Sequence, residues 1–294
     1  MTASDIHEPP VLPNPQARAP GLEFAQYCQP GRAGVEIFTA RFVHHTFDPH
    51  THEAFGLGVI EQGVERFRYA GAEHLAPANS LVMIHPDEVH TGRAETVQGW
   101  RYRMAYIDPQ VLENISGQTG WWFAQAVAPT SAAQAHAVAQ VLEALSHAAE
   151  PLAVDCLLHR LVDHMRPYAR TALELPTHGR LRFAPVLDYL HAYYAEPQNL
   201  EGLAQLVGLS PFHFLRQFQK QFHVTPQQML MAIRLHRAKG LLAQGEPAAQ
   251  VAAATGLTDQ AHLTRTFARR YGITPGRYQQ QLNGADRNLV QDRM

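Results

Sequence analysis

Leu203-Ala204-Gln205-Leu206-Val207-Gly208-Leu209-Ser210-Pro211-Phe212-His213-Phe214-Leu215-Arg216-Gln217-Phe218 recurs, in altered form, later in this 294-residue chain. The second version runs through Val251-Ala252, Thr255-Gly256-Leu257, Asp259 and Leu263-Thr264-Arg265-Thr266-Phe267. Each copy closes on an aromatic followed by Thr-Pro: Phe222 with Thr225-Pro226, and Tyr271 with Thr274-Pro275. Gly208 and Gly256 are 48 residues apart, whereas Ser210 and Asp259, Arg216 and Arg265, and Pro226 and Pro275 are 49 apart. The second copy therefore carries one extra residue between its glycine and the polar residue that follows. Self-similarity at a fixed period points to a duplicated structural unit.

Each copy predicts a helix-turn-helix. Ala204 and Ala252 are small residues suited to face a partner helix, and Gly208 and Gly256 supply a turn position with positive φ. Ser210 and Asp259 are favoured N-caps, and Pro211 fits the first helical position, where a missing N–H costs nothing. Phe214, Phe218 and Phe222 recur every four residues, as do Leu263, Phe267 and Tyr271, which marks a buried stripe. The opposite face of the first copy offers Phe212, His213, Leu215, Arg216 and Lys220. That of the second offers Gln260, Ala261, His262, Thr264, Arg265, Arg269 and Arg270. Arg reads guanine edges bidentately, Gln reads adenine, and apolar groups touch the thymine methyl; the same cations also serve as phosphate contacts. Between the copies, Pro226 to Gln244 reads as one amphipathic helix, with Ile233, Leu235, Ala238, Leu241 and Leu242 among Arg234, Arg237 and Lys239. Such a helix would set the separation of two readers, and adjacent major-groove entries lie ~34 Å apart.

Residues 182–281 resemble the DNA-binding domain of the AraC/XylS family of bacterial transcription regulators. Two spaced units, a linker helix and the ending Gly272-Ile273-Thr274-Pro275-x-x-Tyr278 carry the resemblance; Gln279 departs from it where the family often has Arg. It implies a transcription factor that binds double-stranded promoter DNA, responds to a small-molecule effector, forms a homodimer and contacts RNA polymerase. Charge is distributed accordingly. The net charge is only −2, but Leu181–Leu282 holds ten basic and five acidic residues, against 12 and 19 before it. A basic module on an acidic one is expected if only one end meets phosphate. Cys28 and Cys156 are too few for a disulfide framework. The chain shows neither a signal-peptide pattern nor the ~20-residue apolar run of a membrane span, which together point to the cytoplasm.

The front half has a different texture. Short apolar runs broken by Gly, Pro and Asp from Val35 to Asp108 predict an antiparallel barrel or double sheet. Leu81-Val82-Met83-Ile84 is an apolar strand, and Trp100, Tyr102, Met104 and Tyr106 alternate with Arg101 and Arg103. His50-Thr51-His52, Glu61, Pro77-Ala78-Asn79-Ser80 and His85-Pro86-Asp87-Glu88-Val89-His90 resemble the ligand-binding cupin barrel that precedes the DNA-binding domain in AraC-type regulators. Asn79 stands where Gly is common, and Asn tolerates the left-handed region. The expected ligand-binding residues are Arg41, His50, His52, Glu61, His90, Trp100 and Tyr102, suited to a small polar metabolite such as a sugar, amino acid or carboxylate. No cofactor, no catalytic residue and no enzymatic activity are expected. The alternative is a metal-dependent cupin enzyme carrying a DNA-binding domain, with His50, His52, Glu61 or Glu53, and His90 as ligands.

The expected fold is a multidomain chain with α and β parts. Residues 1–20, rich in proline, are a flexible arm. Residues 21–175 form a cupin-like antiparallel β-barrel with a helical pair, Ser131–Ala149 and Leu152–Arg170, whose stripes Val138, Val141, Leu142, Leu145 and Leu157, Leu158, Leu161, Val162, Met165 suggest dimer contact, with packing on their own barrel as the alternative. Glu174–Arg180 is a linker, 181–282 an all-α domain with two helix-turn-helix units joined by a linker helix, and 283–294 a tail. Replacing Arg216 or Arg265 by Ala is expected to weaken binding of the specific site by ~1–3 kcal/mol if that side chain reads a base. Titrating cognate and scrambled duplexes by fluorescence anisotropy checks it, since an equal loss on both means a phosphate contact.

Overall fold

The computed structural model describes residues 23–171 and 180–291; the expected arm, 1–20, and most of the expected linker lie outside the described residues. The N-terminal half opens with β1 (Phe24–Cys28), β2 (Val35–Phe42), β3 (Thr46–His50), β4 (Phe55–Tyr69), β5 (Ala72–Pro77), β6 (Ser80–Ile84), β7 (His90–Ala94) and β8 (Trp100–Ile107). Then come α1 (Pro109–Ser116), β9 (Trp121–Phe123), β10 (Val127–Pro129), α2 (Ala132–His147), α3 (Pro151–Met165) and β11 (Ala169–Thr171). The strand order is β1-β2-β8-β4-β6-β10, with β5 and β7 also on β4 and β3 on β7, all antiparallel.

The long strand β4 belongs to both layers. Its first half pairs with β6 and β8, its second with β5 and β7. A register shift between Ile60 and Gln62 and Gly63 at φ +72° separate the halves. An extra residue at a bulge reverses which side chains face in. Leu57 and Val59 accordingly face outward to the helices, whereas Ile60, Phe67 and Tyr69 face the interior. Asn79 does adopt the left-handed region, at φ 66°.

The helical pair covers the outer face of this β-structure. Val138, Leu142, Leu145, Leu158, Leu161 and Met165 are fully buried with Leu57, Val59, Leu81 and Ala105. This corrects the expectation that the two stripes are free for a second chain: they are consumed by the chain's own sheet.

The C-terminal half is α4 (Arg180–Ala192), α5 (Leu200–Gln205), α6 (Pro211–Phe222), α7 (Pro226–Ala243), α8 (Ala248–Ala254), α9 (Gln260–Tyr271) and α10 (Pro275–Gln291). The helix-turn-helix reading holds in its caps, turns and most of its core, with Phe222 only half-buried. Ser210 and Asp259 accept the backbone N–H of His213 and His262, and Thr225 forms a capping box with Gln228 at the head of α7. Phe214 and Phe218 are buried in the first unit, Leu263, Phe267 and Tyr271 in the second. Gln279, the residue departing from the family pattern, donates to the Leu242 and Glu246 carbonyls and so caps the end of α7. The helix α10 runs on through Gln291, so the expected tail at 283 begins inside a helix.

The units differ in where they bury their stripes. The first packs with Phe183, Val186 and Leu190 of α4 into a core of its own. The second shares one continuous core with the interior of the β-domain, from Phe38, Phe42 and Tyr102 to Phe267, Tyr271 and Tyr278.

Gly208 (φ +63°) and Gly256 (φ +69°) both need the left-handed conformation. A Cβ at Gly208 meets nothing within 4 Å, whereas one at Gly256 would lie 2.3 Å from the Ala195 carbonyl oxygen. Gly208→Ala is therefore expected to cost ~1–2 kcal/mol of backbone strain. Gly256→Ala costs more, because a backbone segment must also move. Urea unfolding of the two variants side by side tests the ordering.

Candidate functional site

Among the described residues, the candidate sites are the free faces of α6 and α9 and a cavity inside the β-domain. On α6, Phe212, His213, Arg216 and Lys220 are exposed and Leu215 is half-buried. On α9, Gln260, Ala261, Arg265 and Arg269 are exposed, and His262 and Thr264 are half-buried. Phe212 is 70% exposed, an unusual state for a phenylalanine at the head of a helix. Arg269 pairs with Asp48 of β3 at 2.8 Å.

Arg270 is the exception on that face. It is only 4% exposed and donates to the Thr51 carbonyl oxygen. Its expected place on the DNA-reading surface is corrected: the turn of α9 that carries it is pressed against β3, and the side chain enters the β-domain.

The cavity there is lined by Tyr27, His50, His52, Glu65, His90, Tyr102, Tyr106, Arg270 and Tyr271, among others. Three of the expected ligand residues, His50, His52 and His90, come together with a fourth, Tyr102. The other three do not reach it. Glu61 points outward to Arg101 at 2.7 Å and Arg103 at 2.8 Å, because it is the extra residue at the register shift of β4; the acid that reaches the cavity is Glu65. Arg41 donates to the Gln98 carbonyl on the outer side. Trp100 is buried beneath Tyr102, the rings stacked at 5.8 Å, and serves as core. Glu53, the other acid considered, pairs with His236 of α7 at 3.1 Å, and that hydrogen bond holds its carboxyl below the usual range. Tyr102-Met104-Tyr106 was visible as an alternating run, whereas nothing in the sequence singled out Glu65 and the run Glu65-Phe67-Tyr69. Which face each run presents depended on the bulge.

The three histidines are brought together by strand geometry. His50 and His90 are directly opposed across β3 and β7, and His52 lies two residues beyond His50. Their ring centroids are 4.2–5.2 Å apart. His50 Nδ1 lies 2.7 Å from the Asp48 carbonyl oxygen, and His90 Nδ1 lies 3.0 Å from that of Glu88. A carbonyl only accepts, so both Nδ1 atoms carry the proton and both Nε2 atoms keep a lone pair. Burial pushes all three imidazoles below the usual histidine range, His90 to about 4. All three are neutral at pH 7, the state in which imidazole ligates metal.

The wall at Arg270 and Tyr271 belongs to a wider seam between the β-domain and the helices. Lys239 of α7 pairs with Glu36 of β2. Tyr278 Oη of α10 donates to the same carboxylate at 2.8 Å. Tyr27 Oη donates to the Tyr271 carbonyl oxygen at 3.0 Å.

The comparisons with known proteins agree with this geometry. Residues 32–162 match the AraC-like ligand binding domain family, and residues 203–281 match a helix-turn-helix domain family. Together they span most of the chain, one match on each half. The chain belongs to the AraC-type transcriptional regulators. A Bacillus subtilis relative, the uncharacterized HTH-type transcriptional regulator YbfI, is 28% identical over 236 residues, covering 78% of this chain and 86% of the relative. The probable transcriptional regulator LumQ of Photobacterium leiognathi is 31% identical over 101 residues, 34% of this chain and 41% of its own length. Among solved structures, an apo ToxT variant from Vibrio cholerae aligns with a TM-score of 0.58 at 9% identity, covering 85% of this chain and 98% of that one. Wild-type ToxT bound to an unsaturated fatty acid aligns at 0.52 and 9% identity, covering 85% and 95%. At these identities the likeness shows the fold. This AraC-type regulator thus joins a ligand-binding β-domain to a double helix-turn-helix DNA-binding domain. Among the described residues no helix is long and apolar enough to cross a membrane.

Burial pushes the Glu65 carboxyl up to about 8. The folded state therefore holds a proton that the unfolded chain releases near pH 4.3. Stability falls as pH rises between those values, by up to about 1.4 kcal/mol per pH unit. Glu65→Gln is expected to flatten the urea midpoint against pH from 5 to 8 and to be the more stable form at pH 8.

Proposed function

We propose that this regulator senses a small polar metabolite in the cavity of its β-domain, reads promoter DNA with α6 and α9, and couples the two through the shared wall at Arg270 and Tyr271. The supporting observation is one of size. With α9 docked, the cavity leaves about 40 Å³, room for roughly three water molecules at ~10–15 Å³ each. A sugar, amino acid or carboxylate metabolite does not fit beside Arg270 and Tyr271. Its entry displaces them, so effector binding and docking of α9 exclude one another. A ligand shifts an equilibrium by its differential affinity for two arrangements, and here one arrangement has no space for it.

Release frees Arg269 from Asp48 for phosphate. The readers in this proposal are Phe212, His213, Leu215, Arg216 and Lys220 on α6, and Gln260, Ala261, His262, Thr264, Arg265 and Arg269 on α9. The ligand set is His50, His52, His90 and Tyr102, joined by Glu65 and Tyr106. The fatty acid named for ToxT adds an apolar carboxylate to the effectors worth testing. We read the chain as a cytoplasmic sensor without catalysis, in keeping with relatives named as regulators. Pairing of two chains on DNA and contact with RNA polymerase belong to the same proposal; the pairing would use the outer side of α3, where Leu152 is 75% exposed.

The test is a thermal-shift screen of sugars, amino acids and carboxylates, followed by hydrogen exchange with any hit. A metabolite at 100 times its Kd stabilises by ~2.7 kcal/mol when it binds only the folded state. The expected result is faster exchange in 266–278 and in 46–52 on binding, with Arg270→Gln showing the same pattern without ligand. A hit that slows exchange in both segments would overturn the coupling.

A further inference from the structure

We propose that His50, His52 and His90 form a three-histidine site for a divalent first-row transition-metal ion, with Zn²⁺ or Co²⁺ the fitting class, at the seam between the β-domain and the DNA-binding domain. One ring nitrogen from each histidine lies within 4.8 Å of the other two. Tetrahedral Zn–N bonds of ~2.0–2.1 Å put ligand nitrogens about 3.4 Å apart, so modest ring rotations close the set.

Three further observations point to an ion. The hydrogen bonds from Nδ1 of His50 and His90 to backbone carbonyls fix the rings and leave Nε2 as the donor, the outer-shell arrangement typical of metal-bound histidine. His52 Nε2 is buried with no hydrogen-bond partner, although a buried acceptor is normally satisfied; a metal ion would satisfy it. The space of about 40 Å³ takes an ion and a water or two without moving α9, whereas a metabolite must displace it. Three neutral nitrogens with an open position suit Zn²⁺, Co²⁺, Ni²⁺ or Fe²⁺ rather than Mg²⁺ or Ca²⁺, which need oxygen ligands.

Glu61 and Glu53 are engaged elsewhere, and Glu65, which lines the same cavity, is not in the cluster of mutually close ligand atoms, so the set is three histidines completed by exchangeable water or an anion. Arg270 lines the same cavity and repels a bare cation, which favours an anion in that fourth place. His50 and Arg270 also line a separate seam cavity of about 240 Å³ between β3, α7 and α9. An ion at the three histidines touches both domains' shared wall, so the seam has a second kind of occupant beside the metabolite. The site itself stands whether or not the coupling proposed above is correct.

The experiment uses the full chain, stripped with EDTA and dialysed, titrated with Co²⁺ under visible absorption and with Zn²⁺ in competition. The expected result is one equivalent of Co²⁺ with the intense d–d bands of a four- or five-coordinate nitrogen site, displaced by Zn²⁺. His52→Gln and His90→Gln should each lose affinity by more than the roughly 10–100-fold that an outer-shell change costs, while His44→Gln, on the exposed loop, changes nothing. Spectra of the wild-type chain are decisive even if a variant fails to fold. A weak octahedral spectrum, no binding at tens of micromolar, or binding unchanged in both folded variants overturns the site.

Discussion

The two halves of the molecule meet on the Glu36 carboxylate. It sits on β2, takes the ammonium of Lys239 from α7 and the hydroxyl of Tyr278 from α10, and is buried with both. Three elements from two halves of the chain converge on one charge. Burial pushes the Lys239 ammonium down, and Glu36 beside it offsets part of that. The rings of Tyr27 and Tyr271 lie 4.5 and 4.8 Å from Lys239 Nζ, so the cation is cradled by aromatic faces as well. A buried pair of this kind adds little net stability relative to apolar packing, yet losing one partner costs ~3–5 kcal/mol. Its effect is to specify one docking of the helices on the β-domain.

That docking gives the two reading units unequal freedom. The first has its own core with α4. The second borrows its core from the β-domain and also lends Arg270 and Tyr271 to the cavity wall. Gly272, the left-handed cap of α9, marks the closest approach: a Cβ there would lie 2.6 Å from the Phe42 ring. Among the described residues, the second unit alone of the two lends side chains, Arg270 and Tyr271, to the cavity wall.

Much of the fold was readable from local pattern. Caps, left-handed glycines, the four-residue aromatic stripes and the linker helix are determined within a few residues of chain, and the sequence contained all of them. The antiparallel character of the front half was readable for the same reason. The candidate site was readable only in part. His50, His52 and His90 were legible because an H-x-H spacing places two rings on one strand face. Glu61 was not, because a single bulge downstream of Ile60 reverses the inward parity, and no residue type announces that reversal. Trp100 and Tyr102 share a face, but depth along the strand separates core from cavity.

The sequence by itself determined the two reading units, their caps and spacing, the basic character of that half, and the histidine-bearing strands. These follow from short-range backbone chemistry and from hydrophobic period. Tertiary structure decided which apolar stripes face which partner. The helical pair covers its own sheet, and Arg270 leaves the DNA face to close a cavity more than two hundred residues away in the chain. An apolar or charged side chain has the same local signature whichever surface it meets. The partner is chosen by long-range packing, here by the buried Glu36 carboxylate and the sheet face left open for α9.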